Sequence, residues 1–164
     1  MKLLPAFAIL AAFAMAACSD DTPPPAAETT NTPAAAPGGP APNTIEYFNQ
    51  VVGDRVFFAT NAHTLSAEAR GTLDRQARWL GANPSTNLTI EGHADERGTR
   101  QYNLALGARR ANSVRRYLAS QGVAANRLRA VTFGKERPAA LCSNDSCWSQ
   151  NRRGVSIVAG APSS

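Results

Sequence analysis

Between Thr44 and Val158 the apolar positions recur with two periods, which together predict a small domain of helices and strands. Ile45 to Val52 reads as a short lead-in helix and Arg55-Val-Phe-Phe58 as a strand. Ser66 can cap a helix running to about Ala82, because Ala69, Leu73, Ala77 and Leu80 return to one face every three or four residues. Asn83-Pro84 ends that helix, since the residue before a proline is pushed out of the helical region. Leu88-Thr-Ile-Glu91 alternates as a half-buried strand does and runs into Gly92-His93-Ala94-Asp95. A second long helix covers about Arg100 to Gln121, with Leu104, Ala108, Ala111, Val114 and Leu118 as its expected buried stripe and Gly122 as its stop. Ala130 to Phe133 and Val155 to Val158 supply the last strands. The order β-α-β-α-β-β defines an α/β fold, an α+β sandwich in which a mixed open sheet carries its helices on one face. No internal repeat is present.

The pattern changes ahead of Thr44. Met1-Lys2 is a short positive start, and Leu3 to Ala17 is almost wholly apolar, with one proline. That stretch falls short of the roughly 20 residues a membrane span needs, and it has the build of a secretory signal over residues 1–17. It ends Met15-Ala16-Ala17-Cys18, which resembles a bacterial lipobox with Met in place of the usual Leu. Cys18 is then the lipidation site; a plain signal cut after Ala17 would instead leave it as a thiol. Ser19 in the next position favours delivery to the outer membrane by the sorting pattern of such lipoproteins. Ser19 to Asn43 holds seven prolines and no aromatic residue, so residues 18–43 are expected to be a lipidated cysteine and a disordered tether. Those 25 residues reach about 30 Å as a coil and about 75 Å as extended polyproline II. Residues 44–160 form the folded domain.

Setting Cys18 aside leaves Cys142 and Cys147. An exported protein can pair them, closing a short loop worth about 2 kcal/mol, or keep two thiols. No metal site is expected, because neither His63 nor His93 lies near the cysteines and no HExxH pattern occurs. Charge then narrows the partners. From Thr44 onward sixteen basic residues face nine acidic ones, and fifteen of the sixteen are Arg. Such a balance suits nucleic acid, but an exported, tethered domain meets carboxylates and anionic wall polymers instead, so no nucleic-acid partner is expected. Arg70, Arg75, Arg78, Arg115 and Arg116 fit a solvated surface.

Three stretches carry the chemistry: Thr89-Ile-Glu-Gly-His-Ala-Asp-Glu-Arg-Gly98, then Tyr102-Asn103 with Gly107-Ala-Arg-Arg-Ala-Asn-Ser-Val114, and Asn151-Arg152-Arg153. In this order they resemble the C-terminal OmpA-like peptidoglycan-binding domain, over about Val51 to Val158. With lipobox and tether in front, the chain is similar to the lipid-anchored members of that family that work in the Tol–Pal system. The resemblance implies a non-enzymatic protein without cofactor, lipid-anchored at the periplasmic face of the outer membrane. It would bind peptidoglycan there and meet a TolB-like periplasmic protein, with roles in envelope integrity and cell division. An Arg-rich electrostatic binder of wall polymers, or an OmpA-like lipoprotein outside Tol–Pal, is the alternative.

The ligand implied is meso-diaminopimelate, whose end carbon carries both an ammonium and a carboxylate. A receptor needs one anion and one planar cation on a rigid frame. Asp95 sits where a strand leaves the sheet, and Arg110 lies fifteen residues on, in a helix that packs back on that sheet. The family's binding aspartate and arginine match these two, with Arg109 a surface neighbour. Asp95 would take the ammonium and Arg110 the carboxylate in a two-pronged contact that Lys cannot make. A plain Asp–Arg salt bridge tying loop to helix is the bland alternative. Asn103 supports the loop that holds Asp95. Where the family often has an acidic residue after Phe58 this chain has Ala59, leaving backbone contacts only. Glu96 and Arg97 are expected at the rim of a partner surface. His93 is a structural residue of the strand end, because no nucleophile elbow accompanies it. Asn151, Arg152 and Arg153 are expected to serve structure.

Overall fold

A computed structural model describes residues 39–159. The signal stretch, Cys18 and all but the end of the tether lie outside the described residues.

The first element, α1, is one α-helical turn, Ile45–Tyr47, that widens into a π-helix over Phe48–Gly53. There follow β1 (Arg55–Phe57), α2 (Ala67–Ala82), β2 (Leu88–His93), α3 (Arg100–Ser120), β3 (Leu128–Gly134), α4 (Asp145–Asn151) and β4 (Arg153–Val158). Each helix starts on a side chain that accepts from a backbone N–H left without a helical partner. Ser66 takes the N–H of Ala69 and Thr99 that of Tyr102, at 3.1 and 3.2 Å. At its far end α2 is closed by Arg127, whose Nε donates to Thr86 and whose Nη2 donates to the carbonyls of Leu80 and Asn83.

The sheet runs β1-β4-β2-β3. β2 pairs parallel with β3, while β4 is antiparallel to both β2 and β1. The α/β class, the mixed sheet and its two long helices are therefore as expected. One face of the sheet, with Val56, Leu88, Ile90 and Val158, joins Phe48, Leu73, Leu80, Val114 and Leu118 in the core. The helix α3 comes so close to β2 that Gly92 and Gly107 meet backbone to backbone, leaving no room for a Cβ on either.

Three expectations need correcting. Helix α4 was not foreseen; it is a seven-residue polar segment capped by Asn144 that turns the chain into β4. The buried stripe of α3 runs through Ala111, Val114 and Leu118 as expected, but in the first half it is Asn103, Leu106, Gly107 and Arg110. Leu104 and Ala108 are only half-buried. The inward face there is selected by the loop after β2 and by the glycine contact, not by apolar character. Arg75, assigned to the solvated surface, keeps an exposed side chain but donates from Nε to the Val52 carbonyl at 3.1 Å, tying α2 to α1.

Candidate functional site

The parallel pairing of β2 with β3 ends at a register shift between Gly92 and His93, and the chain leaves the sheet there. The turn that follows is held from every side. Ala94 N–H donates to Gly134, Asn103 Nδ2 to the Arg97 carbonyl at 2.8 Å, and Lys135 Nζ to the carbonyls of Glu96 and Gly98. Gly98 has φ +88°, a left-handed position that a side chain would strain. Residues 94–98 are thus a fixed loop, and Asn103 is one of its fasteners.

Asp95, 8% exposed, projects from this loop. Its carboxylate accepts from Arg97 three times: the backbone N–H at 3.2 Å and Nε at 3.1 Å on Oδ1, and Nη2 at 2.7 Å on Oδ2. Arg152 brings a second cation, with Nη1 at 3.5 Å from Oδ2. Burial alone would raise the Asp95 pKa, but the hydrogen bonds and charge of Arg97, with help from Arg152, hold it below the ordinary carboxylate value.

Arg110 comes to the same strand end from α3 and is fully buried. It does not pair with Asp95. Its Nη1 donates to the His93 carbonyl at 2.8 Å, Nε to Ala62 at 2.8 Å and Nη2 to Ala59 at 3.2 Å, and the guanidinium lies 5.2 Å from the Phe58 ring centre. The salt-bridge alternative is thereby excluded for this pair. Among the described residues no carboxylate lies within ion-pair distance of Arg110. Burial lowers its pKa to about 10, against the opposing pull of the Asp95 charge. A guanidinium has five N–H groups, and three are spent here on backbone carbonyls. The Ala59 carbonyl is one of those three, so Ala59 enters the site as a support for Arg110.

Beside Asp95 a cleft of about 360 Å³ is lined by Ala94, Glu96, Lys135, Pro138, Leu141 and Asn151, among others. Glu96 is exposed and accepts from Trp148 Nε1 at 3.0 Å; Arg97 stacks on the Trp148 ring, 4.1 Å from its centre. Trp148 belongs to α4, which Cys142 and Cys147 staple through a disulfide. The Asn-Arg-Arg run fastens two connections, the one after β1 and the one between β3 and α4. Asn151 binds the backbone of Ala139 and Ala140, Arg152 donates to the Phe58 carbonyl, and Arg153 donates to that of Arg137. Sequence reasoning placed Arg152 in the framework and missed its second task beside Asp95. A signal existed: adjacent residues at the start of a strand face opposite ways, so one of the two arginines had to point away from the other.

His93 is fully buried, as a strand-end residue should be, with Nε2 3.2 Å from Glu91 Oε2 and its ring stacked on Phe133. It is only half satisfied, because Nδ1 has no hydrogen-bond partner. Burial first, then the charges of Arg153 and Arg137, lowers its pKa to about 3. His63 and Arg109 are exposed and lie outside this cluster. No group of His, Cys, Asp or Glu among the described residues is arranged to hold a metal ion.

Fold and site together define a small α/β domain, in which a carboxylate and a buried guanidinium lie at the end of one strand without pairing. The chain belongs to the OmpA family, which matches residues 57–152. It is 56% identical over 126 residues to the peptidoglycan-associated lipoprotein of Rhizobium meliloti strain 1021, covering 77% of this chain and 72% of that protein. The crystal structure of the peptidoglycan-associated lipoprotein from Burkholderia pseudomallei superposes with a TM-score of 0.63 at 38% identity, over 64% of this chain and 89% of that one. The C-terminal domain of Helicobacter pylori MotB, 19% identical with a TM-score of 0.61 over 66% of this chain and 85% of its own, shares the fold.

Proposed function

We propose that this protein is a lipid-anchored protein of the outer membrane that binds peptidoglycan non-covalently. It ties that membrane to the wall as part of the Tol–Pal system, in the service of envelope integrity and cell division. The ligand is the meso-diaminopimelate of the stem peptide: Asp95 takes its ammonium, Arg110 its carboxylate, and Asn103 keeps the loop between them in place. Cys18 carries the lipid, residues 18–43 span the gap to the wall, and a TolB-like periplasmic protein contacts the rim at Glu96 and Arg97. The protein performs no chemistry of its own.

The observation that carries the reading is Arg110. A buried cation is costly unless a counter-charge meets it, and this one is held by three carbonyls with no carboxylate of the described residues within ion-pair distance. An anionic ligand supplies what the fold leaves out. Support also comes from the relatives above, two peptidoglycan-associated lipoproteins at identities of 56% and 38%.

The test is sedimentation of the full chain, in detergent, with purified sacculi. Asp95→Asn is nearly isosteric, and Asn103 and Lys135 still hold the loop. Binding should fall at least about tenfold with the circular dichroism unchanged, the loss of one charge-assisted contact. Free meso-diaminopimelate should compete with the unaltered chain. Undiminished sedimentation of the Asp95→Asn chain would remove the assignment.

A further inference from the structure

The anion of the site has cationic partners within its own chain. A carboxylate offers about four lone-pair directions. Around Asp95 these face the Arg97 backbone N–H, Arg97 Nε, Arg97 Nη2 and, at longer range, Arg152 Nη1. An incoming ammonium has to replace part of this set, and two of the four, the backbone N–H and Arg152 Nη1, are fixed. The backbone N–H cannot move, because Asn103 grips the carbonyl of the same residue at 2.8 Å. Arg152 cannot leave, because its side chain is 9% exposed and donates to Phe58. The Arg97 side chain is different: it is 40% exposed, and its other contact is the face of Trp148.

We propose that Arg97 is a displaceable internal counter-ion, which occupies the ammonium position on Asp95 until the ligand's own ammonium replaces it. The freed guanidinium stays on the Trp148 ring. That ring is itself fixed, by Nε1–H to Glu96 and by the Cys142–Cys147 staple on α4. Binding at this site is therefore an exchange of one cation for another. A ligand must bring an amine to open the site, and a carboxylate alone does not. The inference rests on the reading that Asp95 receives the ammonium.

The experiment titrates the full chain, in detergent, with meso-diaminopimelate and with pimelate, the same dicarboxylate without amines. Removing the competitor by Arg97→Gln should tighten diaminopimelate binding about two- to fivefold, the range for a part-exposed ion pair. Arg97→Lys, which lacks the fork, should fall between. In the unaltered chain the Arg97 Nε–H resonance, slowed in exchange by Asp95, should lose its protection on saturation with diaminopimelate and keep it with pimelate. That spectrum needs no variant to fold. Equal or weaker binding by Arg97→Gln, or an Arg97 resonance still protected at saturation, overturns the exchange while Asp95→Asn still abolishes binding. Retained binding by Asp95→Asn overturns the site itself.

Discussion

Gly92→Ala probes the contact on which the whole site depends. A Cβ at Gly92 would land on the Gly107 carbonyl oxygen, 2.7 Å from the carbonyl carbon and 3.0 Å from the Ala111 nitrogen. All three atoms are backbone, so no side chain can turn aside, and α3 has to retreat from β2 by on the order of 1 Å to restore ordinary contact. Overpacking costs about 1–3 kcal/mol even where neighbours can adjust, and the upper end applies here. About 3 kcal/mol in a domain of this size lowers the melting temperature by about 10 °C. The same retreat draws Arg110 Nη1 away from the His93 carbonyl, now 2.8 Å off, so sacculus binding should fall with stability. Gly71→Ala is the control. Gly71 lies inside α2 with nothing within 4 Å of a built Cβ, and alanine there should add about 0.5–1 kcal/mol. Thermal melts of the three chains decide it. A Gly92→Ala chain within about 1 kcal/mol of the parent would refute the close-approach argument.

Reducing the Cys142–Cys147 bond, which spans a sequence separation of 5, should cost about 2 kcal/mol in urea unfolding with and without dithiothreitol. A shift near zero would mean that the loop is equally ordered without its staple. Arg127→Ala removes three hydrogen bonds to the carbonyls that close α2 and should cost about 2 kcal/mol, with Arg127→Lys recovering only part. Full recovery by lysine would show that charge alone suffices. His93, lowered to about 3 by burial and then by the arginine charges, titrates near 6.5 once unfolded. The unfolded chain then holds a proton that the native state refuses. Stability from this group is complete above pH 6.5 and declines as pH falls toward about 3, by up to about 1.4 kcal/mol per unit. Urea unfolding between pH 6.5 and 5 should show this slope in the parent and a shallower one in His93→Gln; identical slopes would contradict it.

The domain was legible from periodicity wherever a face is buried for apolar reasons. Leu73, Leu80, Ile90, Val114 and Leu118 return at their proper spacing and fix α2, β2 and the far half of α3. The near half of α3 misled, because beside Leu106 its inward positions are Asn103, Gly107 and Arg110, residues that a hydrophobic pattern assigns to solvent. The convergence of Asp95 and Arg110 on one strand end was readable, since α3 returns directly onto β2. Their separate partners were not. Nothing in the spacing tells that Arg97, two residues on, satisfies Asp95, or that Arg110 spends itself on Ala59, Ala62 and His93 across 17 to 51 positions of sequence. Helix α4 was missed for a related reason: Asp-Ser-Cys-Trp-Ser-Gln-Asn has no apolar period, and only the Asn144 cap announced it.

The abundance of arginine takes on a different meaning once its hydrogen bonds are followed. Arg75, Arg110, Arg127, Arg152 and Arg153 each donate to at least one backbone carbonyl outside their own element. Several loops of this small domain have carbonyls that neither helix nor sheet satisfies, and the planar fork reaches two or three of them where an ammonium would reach fewer. Of the fifteen arginines set against a single lysine from Thr44 onward, these five serve the framework. Net charge then overstates the cations available to a ligand, which weakens the case for diffuse attraction to anionic polymers. Specificity has to arise where the framework is incomplete, and two groups at the end of β2 meet that description: Arg110, buried with no carboxylate of the described residues within ion-pair distance, and Asp95, whose partner Arg97 is the half-exposed one proposed to leave.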